Sequence, residues 1–360
     1  MGSYIYIFTN SYKPVLGGIQ TVTSQLAETL KARGEKVVVV TKLGGLAKKP
    51  YSKICGVPVF RFLFAYNFEL IFLYLLFLLK RPKAVYVHFP QEQAKFVLKL
   101  RKCFSFKIVT CFHGHDVLMY REGFDQNNNL FQWKYKLVHA SDCVTSCSKY
   151  LGSVVCDVFE CGKVIPVYNG VNLSRYGKKA LAPDGFSGPY LFAFGRLEKI
   201  KGYQLLIEAF SNLNDYPNHS LYIAGEGSFK MELQKRIKKF HLEDRVFLIG
   251  RKTPNEIVQL TQHAEVIVIP SLRESFGIVV LEAIAAMRPV VATEAGGIPE
   301  IMDDRFGVLV SPSVKGLVYG IEKALNRKDY QFDSVDEYLK GFTVDKMVDN
   351  YIKLIGEDDN

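Results

Sequence analysis

Residues 274–282 read Glu274-Ser275-Phe276-Gly277-Ile278-Val279-Val280-Leu281-Glu282. Two carboxylates stand eight positions apart, with a glycine and a greasy run between them. The stretch follows the apolar run Val266–Pro270 and the polar turn 271–275, and Pro289 lies seven residues beyond it. That order predicts a strand, a turn, and then a helix from near Phe276 to about Met287. Glu274 would stand just before the helix. Glu282 would lie roughly two turns in, some 80° around the axis from the start, on a flank that can face the same side. Ile278, Val279, Val280 and Leu281 would pack the helix onto a sheet. A helix start presents unpaired backbone N–H groups and a positive dipole end, which suit a phosphate. One carboxylate on either side can accept from vicinal hydroxyls. A nucleotide sugar has that layout: sugar hydroxyls, a diphosphate, then ribose hydroxyls.

Working outward, short β-rich runs alternate with helical patterns in both halves of the chain. Examples are Tyr4–Thr9, Lys36–Thr41 and Ala84–Phe89 in the first half, and Tyr190–Gly195, Ser220–Gly225 and Val246–Gly250 in the second. Strands of four to seven residues between helices predict parallel sheets covered on both faces. Two such series predict an α/β chain of two doubly wound domains, 1–168 and 169–341, with a Gly/Pro-rich link at 181–189. Sheets of this kind bind ligands beyond the C-terminal ends of their strands. Beyond Tyr190–Gly195 come Arg196, Lys201 and Gly202. Arg can grip phosphate oxygens in bidentate fashion, Lys adds a point charge, and Gly permits close approach. No Asp-x-Asp motif occurs, so a diphosphate held by a metal is disfavoured, and no cofactor is expected.

Charge is unevenly spread. Residues 1–180 hold 25 Lys+Arg and 10 Asp+Glu, a net of +15; residues 181–360 hold 21 and 26, a net of −5. A basic half attracts polyanions, although it carries no nucleic-acid motif. The run Phe68–Leu79 is about a dozen residues long and ends at Lys80, Arg81 and Lys83. It is too short to span a bilayer. It reads either as a buried helix or as one resting its apolar face on a membrane. The seven cysteines all precede residue 162. Their odd number and the lack of a signal peptide argue for free thiols rather than disulfides. Cys143/Cys147 and Cys156/Cys161 only loosely resemble metal-ligand pairs.

The chain resembles the retaining GT-B glycosyltransferases of family four. The resemblance rests on "FGRLEKIKG" (194–202), "IAGEGS" (223–228), "FLIGR" (247–251), the Glu-x7-Glu stretch and "PVVATEAGGIPEI" (289–301) in the second half. In the first half it rests on "GGIQTVTSQLAETLKARGEKVVVVT" (17–41) and "TCFHGHD" (110–116), and between them on "VYNGVNLSRY" (167–176). It implies two Rossmann-like domains facing a cleft, the first for the acceptor and rejoined by a C-terminal helix at 342–360, the second for the donor. It further implies that Arg196 and Lys201 hold the donor diphosphate. Glu274 would take the transferred sugar's hydroxyls, backbone N–H groups over Ser275, Phe276, Gly277 and Ile278 would help, and Glu282 would take the ribose. Gly17 and Gly18 would let backbone approach the phosphates, and His113, with Asp116 beside it, would sit near the transferred sugar. The implied partner is a nucleotide-sugar donor; the basic half and the run Phe68–Leu79 add the expectation of a saccharide or lipid-linked acceptor in bacterial surface-polysaccharide synthesis. No metal is expected. The location implied is the cytoplasm, peripherally at the inner face of the membrane through the basic domain. A soluble acceptor, a nucleotide-sugar epimerase, a glycoside hydrolase and a non-catalytic binding protein are the alternatives. The Arg196/Lys201 cradle argues against the hydrolase.

Overall fold

The computed structural model describes residues 3–15, 17–44, 49–177, 180–183, 185–186 and 188–356. The chain divides into two units, residues 1–170 with 344–360, and residues 171–343.

The first unit opens with β1 (Tyr4–Thr9), α1 (Gly18–Ala32), β2 (Lys36–Lys42), β3 (Tyr51–Ile54), β4 (Val57–Phe62) and α2 (Asn67–Leu79). It continues with β5 (Pro82–His88), α3 (Gln93–Arg101), β6 (Lys107–Phe112), α4 (His115–Arg121), α5 (Asn129–Ala140), β7 (Cys143–Ser146), α6 (Lys149–Phe159) and β8 (Val164–Pro166). The sheet order is β3-β4-β2-β1-β5-β6-β7-β8, parallel except for the β3–β4 hairpin at its edge. Strand alternation sorts the core into two layers. Ile5, Ile7, Val37 and Val39 face α1, while Tyr6, Phe8, Val38 and Val40 face α2 and α3.

The second unit holds β9 (Tyr190–Phe194), α7 (Tyr203–Ser211), β10 (Ser220–Ala224), α8 (Lys230–Lys239), β11 (Val246–Leu248) and α9 (Pro254–His263). After these come β12 (Val266–Ile269), α10 (Ile278–Ala285), β13 (Val290–Thr293), β14 (Gly307–Val310), α11 (Val314–Asn326) and α12 (Val335–Leu339). Its order, β11-β10-β9-β12-β13-β14, is parallel throughout. Strand order reverses between β9 and β12, and in the first unit between β1 and β5. Ligands of doubly wound sheets bind at such switch points.

The last helix, α13 (Val344–Ile355), belongs to the first unit. Met347, Val348, Tyr351 and Ile355 enter the α1 layer of the core. The Tyr86 hydroxyl donates to the Tyr351 carbonyl at 2.8 Å, and Lys107 Nζ to the Ile355 carbonyl at 2.7 Å.

One sequence expectation needs correction and two are sharpened. First, the helix after β12 spans Ile278–Ala285, shorter at both ends. Gly277 (φ 90°) and Met287 (φ 55°) are left-handed and bound it, so Glu282 lies little more than one turn in. Second, the units divide at 170/171, two residues from the expected 168/169, and the described part of the Gly/Pro-rich link lies inside the second unit. Ala180 donates its N–H to Gln262 Oε1 at 2.7 Å, and Phe186 packs edge-on against Tyr222 at 4.6 Å. It therefore packs within the second unit, while Lys178, Lys179, Asp184 and Ser187 lie outside the described residues. Third, α2, left open by the sequence between a buried helix and one with a free apolar face, is only half buried.

All seven cysteines are free thiols, and among the described residues no group of three or more His, Cys, Asp or Glu is placed to hold a metal ion. Among those residues no helix is long and apolar enough to cross a membrane.

Candidate active site

In the second unit the loops after β9 and β12 flank the switch point and are stitched together. Leu272 N–H donates to the Ile200 carbonyl at 2.8 Å. Gly202 adopts φ 72°, and a Cβ there would stand 1.7 Å from the Pro270 carbonyl oxygen. Only glycine lets the two loops approach so closely. The consequence is a contact between side chains 73 residues apart: Lys201 Nζ donates to Glu274 Oε2 at 2.5 Å, with both side chains largely shielded. The Glu274 carbonyl accepts from Gly297 N–H at 3.0 Å, and Thr293 Oγ1 donates to the Ser271 carbonyl at 2.5 Å. These bonds tie the β13–β14 connection to the same turn. Phe276 is buried, Ser275 is half-buried, and left-handed Gly277 leads into the first turn of α10 at Ile278.

Arg196 is placed differently. Its side chain is 70% exposed, and Nη1 donates to Glu198 Oε1 at 2.7 Å. The structure brings Lys201 and Glu274 together but holds Arg196 by its own near neighbour. Glu282, on α10, has Arg175 and Tyr176 as its electrostatic neighbours. Burial pushes its carboxyl up to about 7, and the Arg175 guanidinium partly offsets this.

In the first unit, β5 and β6 are adjacent, so their C-terminal ends set His88 beside His113. His88 Nδ1 lies 2.9 Å from His113 Nε2. The His88 Nε2 is buried without a partner among the described residues. A buried N–H without an acceptor is rarer than an acceptor without a donor. The favoured tautomer therefore has His88 Nδ1–H donating to His113 Nε2, so that His113 carries its proton on Nδ1. Burial lowers the His113 pKa to about 4, so it is neutral near pH 7.

Asp116 is fully buried at the start of α4. It accepts from the backbone N–H groups of His113 (3.1 Å) and Gly114 (2.7 Å), which fixes the turn that carries His113. Burial pushes its carboxyl up to about 6, against the pull of Lys134 and these N–H groups. Lys134 is itself fully buried; it donates to the Asp116 carbonyl at 2.9 Å and sits 4.9 Å from the Tyr120 ring. Burial lowers its pKa to about 8.

Gly17 and Gly18 stand between β1 and α1. Gly17 has an extended φ of 166°, and a Cβ there would meet only the Gln20 side chain. Gly18 has nothing within 4 Å of a built Cβ among the described residues. At Gly18 the described surroundings leave room for a side chain, and at Gly17 only if the Gln20 side chain moves.

Sequence reasoning left His88 as a structural residue and missed Lys134, Arg175 and Tyr176 as neighbours of the site residues. His88 ends a strand, a position the strand-end rule could have flagged. Arg175 and Tyr176 lie inside the quoted 167–176 stretch. Lys134 carries no local signal, since a mid-helix lysine ordinarily faces solvent.

Residues 16–175 match the family model described as Glycosyltransferase Family 4, and residues 185–337 match Glycosyl transferases group 1. The chain belongs to the GT-B glycosyltransferases of family 4. Among the relatives of this family-4 chain is an uncharacterized glycosyltransferase of Methanocaldococcus jannaschii, 30% identical over 56% of this chain and 55% of that one. A phosphatidylinositol N-acetylglucosaminyltransferase polypeptide of Arabidopsis thaliana is 25% identical over 89% of this chain and 74% of that protein. The N-acetylgalactosamine-N,N'-diacetylbacillosaminyl-diphospho-undecaprenol 4-alpha-N-acetylgalactosaminyltransferase of Campylobacter jejuni is 33% identical over 46% of each chain. The family-4 chain thus spans only about half the length of some of its curated relatives. Sucrose-phosphate synthase from Thermosynechococcus elongatus shares the fold with a TM-score of 0.81 at 19% identity, covering 98% of both chains. Anabaena HepE in complex with UDP does so with 0.77 at 21%, covering 97% of this chain and 98% of that one.

Proposed function

We propose that this chain transfers a sugar from a nucleoside-diphosphate sugar to an acceptor hydroxyl, with retention at the anomeric carbon and without a metal ion. The observation that carries the reading is the Lys201–Glu274 pair at the second unit's switch point, beside the start of α10. A cation and a hydroxyl acceptor held 2.5 Å apart are the two groups that a sugar phosphate needs at its junction. Lys201 and the first-turn N–H groups of α10 supply positive charge where the departing diphosphate develops negative charge. Arg196, swung from Glu198, adds a second cation. Glu274 accepts from the transferred sugar's hydroxyls, and Glu282 from those of the ribose.

In the step itself, the bond from the anomeric carbon to the phosphate oxygen breaks as the acceptor oxygen bonds to that carbon on the same face. The acceptor's proton passes to the departing phosphate oxygen. Taken by itself, the first unit offers Gly17 and Gly18 as the positions where backbone is left open to a phosphate. His113, neutral and with its proton on Nδ1, is a hydrogen-bond donor for the sugar. Asp116 acts through His113 by fixing its turn.

We further propose that the acceptor is a lipid-linked saccharide of a bacterial surface polysaccharide, met at the inner face of the cytoplasmic membrane. The relatives whose names carry phosphatidylinositol and undecaprenol support this acceptor class, as does the basic first half.

A panel of UDP-, GDP- and ADP-sugars tests the donor reading by thermal shift and by slow hydrolysis. At least one should raise Tm and be hydrolysed in the presence of EDTA, and the product anomer read by proton NMR should match the donor's. No shift and no hydrolysis across the panel would overturn the reading. Loss with EDTA restored by Mg²⁺ would overturn the metal-free part of it.

A further inference from the structure

α2 carries an apolar stripe that the fold leaves uncovered. Its inner side, Glu69, Leu73, Leu76 and Phe77, is buried in the core. Its outer side presents Phe68 (65% exposed), Ile71 (62%), Leu75 (51%) and Leu79 (83%), with Phe72 and Leu78 between them. Positions 68, 71, 72, 75, 78 and 79 follow helical spacing and form one face. Exposed contiguous apolar surface of this kind marks an interaction site. The aromatic rings extend it at both margins. Tyr66 stacks on Phe68 at 5.5 Å, and Phe72 contacts Phe60 (5.8 Å), which in turn contacts exposed Tyr51 (5.1 Å).

The stretch of chain that carries this face is basic, and just beyond the helix Lys83 is paired with Glu35 at 2.7 Å. Residues 49–107 contain 11 Lys+Arg against two acids, Glu69 and Glu92. Both acids are occupied within the fold. Glu69 accepts from the N–H groups of Leu63 (2.6 Å), Ala65 (2.9 Å) and Tyr66 (3.0 Å). Glu92 pairs with Lys42 at 3.3 Å. At the C-terminal end of α2, Lys80 and Lys36 lie 5.8 and 5.7 Å from the Tyr4 ring, and Arg81 is exposed.

We propose that the outer face of α2 docks in the plane of an anionic lipid surface. Phe68, Ile71, Leu75 and Leu79 enter the acyl boundary, and Lys36, Lys80 and Arg81 engage headgroup phosphates. Thirteen residues make a helix of about 20 Å, too short for a hydrocarbon core of about 30 Å but suited to lying flat in the interface. A protein partner could cover the stripe as well, but Lys36, Lys80 and exposed Arg81 at the end of the helix favour a polyanionic surface, and the aromatic margin suits the headgroup level. The proposal deepens the lipid-linked acceptor reading by naming the element that meets the membrane, and it rests on that reading for its purpose but not for its test.

Co-sedimentation of the full chain with vesicles decides it. The protein should pellet with phosphatidylcholine–phosphatidylglycerol vesicles at about 70:30, but not with phosphatidylcholine alone. Release is expected as salt rises from about 0.01 to 0.15 M and the Debye length falls from about 30 to 8 Å. I71S/L75S, at exposed positions that leave the core intact, should bind at least about tenfold more weakly. K80E/R81E should lose the preference for anionic lipid. Neither pair should change Tm or the hydrolysis of a soluble nucleotide sugar. Wild type that stays in the supernatant with anionic vesicles at low salt would overturn the proposal, as would I71S/L75S that pellets like wild type. So would a lipid-free dimer, seen by sedimentation velocity, that I71S/L75S dissociates while vesicles bind neither form. Donor hydrolysis missing from wild type that still pellets would sink the transferase reading and leave the docking face standing.

Discussion

Lys201 and Glu274 neutralise one another in a shielded turn, so removing either leaves a charge without its partner. Lys201→Ala is expected to lower donor kcat/KM by about tenfold to a hundredfold, since charge-assisted bonds contribute about 1.5–3 kcal/mol. Glu274→Gln should act mainly on kcat, because its ligand is the transferred sugar, whereas Glu282→Gln should act mainly on donor KM. Steady-state kinetics on both variants checks the division. Glu282 also has a pH signature. Its folded pKa of about 7 lies above the ordinary value of 4.5, so the native state holds a proton that the unfolded chain releases. Stability contributed by the neutral form is therefore lost as pH rises from about 4.5 to 7. With partial exposure discounted, the loss is on the order of 1–2 kcal/mol. Glu282→Gln should accordingly melt above wild type at pH 8 and match it near pH 4.5, as calorimetry across that range would show. Donor KM should fall as pH rises through 7 in wild type and stay flat in the variant. The two glutamates and Lys201 were legible because each follows a strand that the apolar pattern marks. The pairing of Lys201 with Glu274 was not. It depends on β9 and β12 lying side by side in the sheet, although β10 and β11 come between them in the sequence. His88 beside His113 was hidden for a similar reason, since it depends on β5 pairing with β6.

The elements around these residues are shaped by glycines of two kinds. Gly202 is demanded by the fold, since its Cβ would meet the Pro270 carbonyl at 1.7 Å and its φ is 72°. Gly202→Ala should destabilise by about 2 kcal/mol or more through strain and overpacking, read as a lower denaturation midpoint. Gly18 has open space around it at the first position of α1. Gly18→Ala should leave Tm unchanged or slightly raised and yet weaken donor binding. Equal donor affinity in wild type and Gly18→Ala would remove the phosphate-approach role. The sequence placed α10 after Glu274 with Glu282 on it, but started it two residues early, because left-handed Gly277 was not readable from its apolar neighbours. It also left two readings of α2 open. Composition marks the helix as apolar, but which half of it the sheet covers is decided by the packing of Leu73, Leu76 and Phe77.

At the scale of the molecule, the chain closes the first unit with a segment from its far end. Met347, Val348, Tyr351 and Ile355 of α13 are buried in that core. At about 1.5–3 kcal/mol for each buried side chain, their sum is comparable to the whole stability of an ordinary domain, about 5–15 kcal/mol. Ending the chain at Thr343 should therefore unfold the first unit while the second persists. Two thermal transitions collapsing to one, and protease resistance confined to residues 171–343, would show it. The order of strands and helices, the two doubly wound units, the place of Lys201 and Glu274 in loops beyond strands and that of Glu282 on the helix that follows were determined by the sequence alone, and His113 was flagged by its resemblance motif. They follow from local periodicity and from the rule that parallel strands carry their ligands at one edge. The partners of those residues, the exposed half of α2 and the buried Lys134 were decided only by the tertiary structure. Each depends on which elements distant in the chain become neighbours, and local patterns of hydrophobicity carry no record of that.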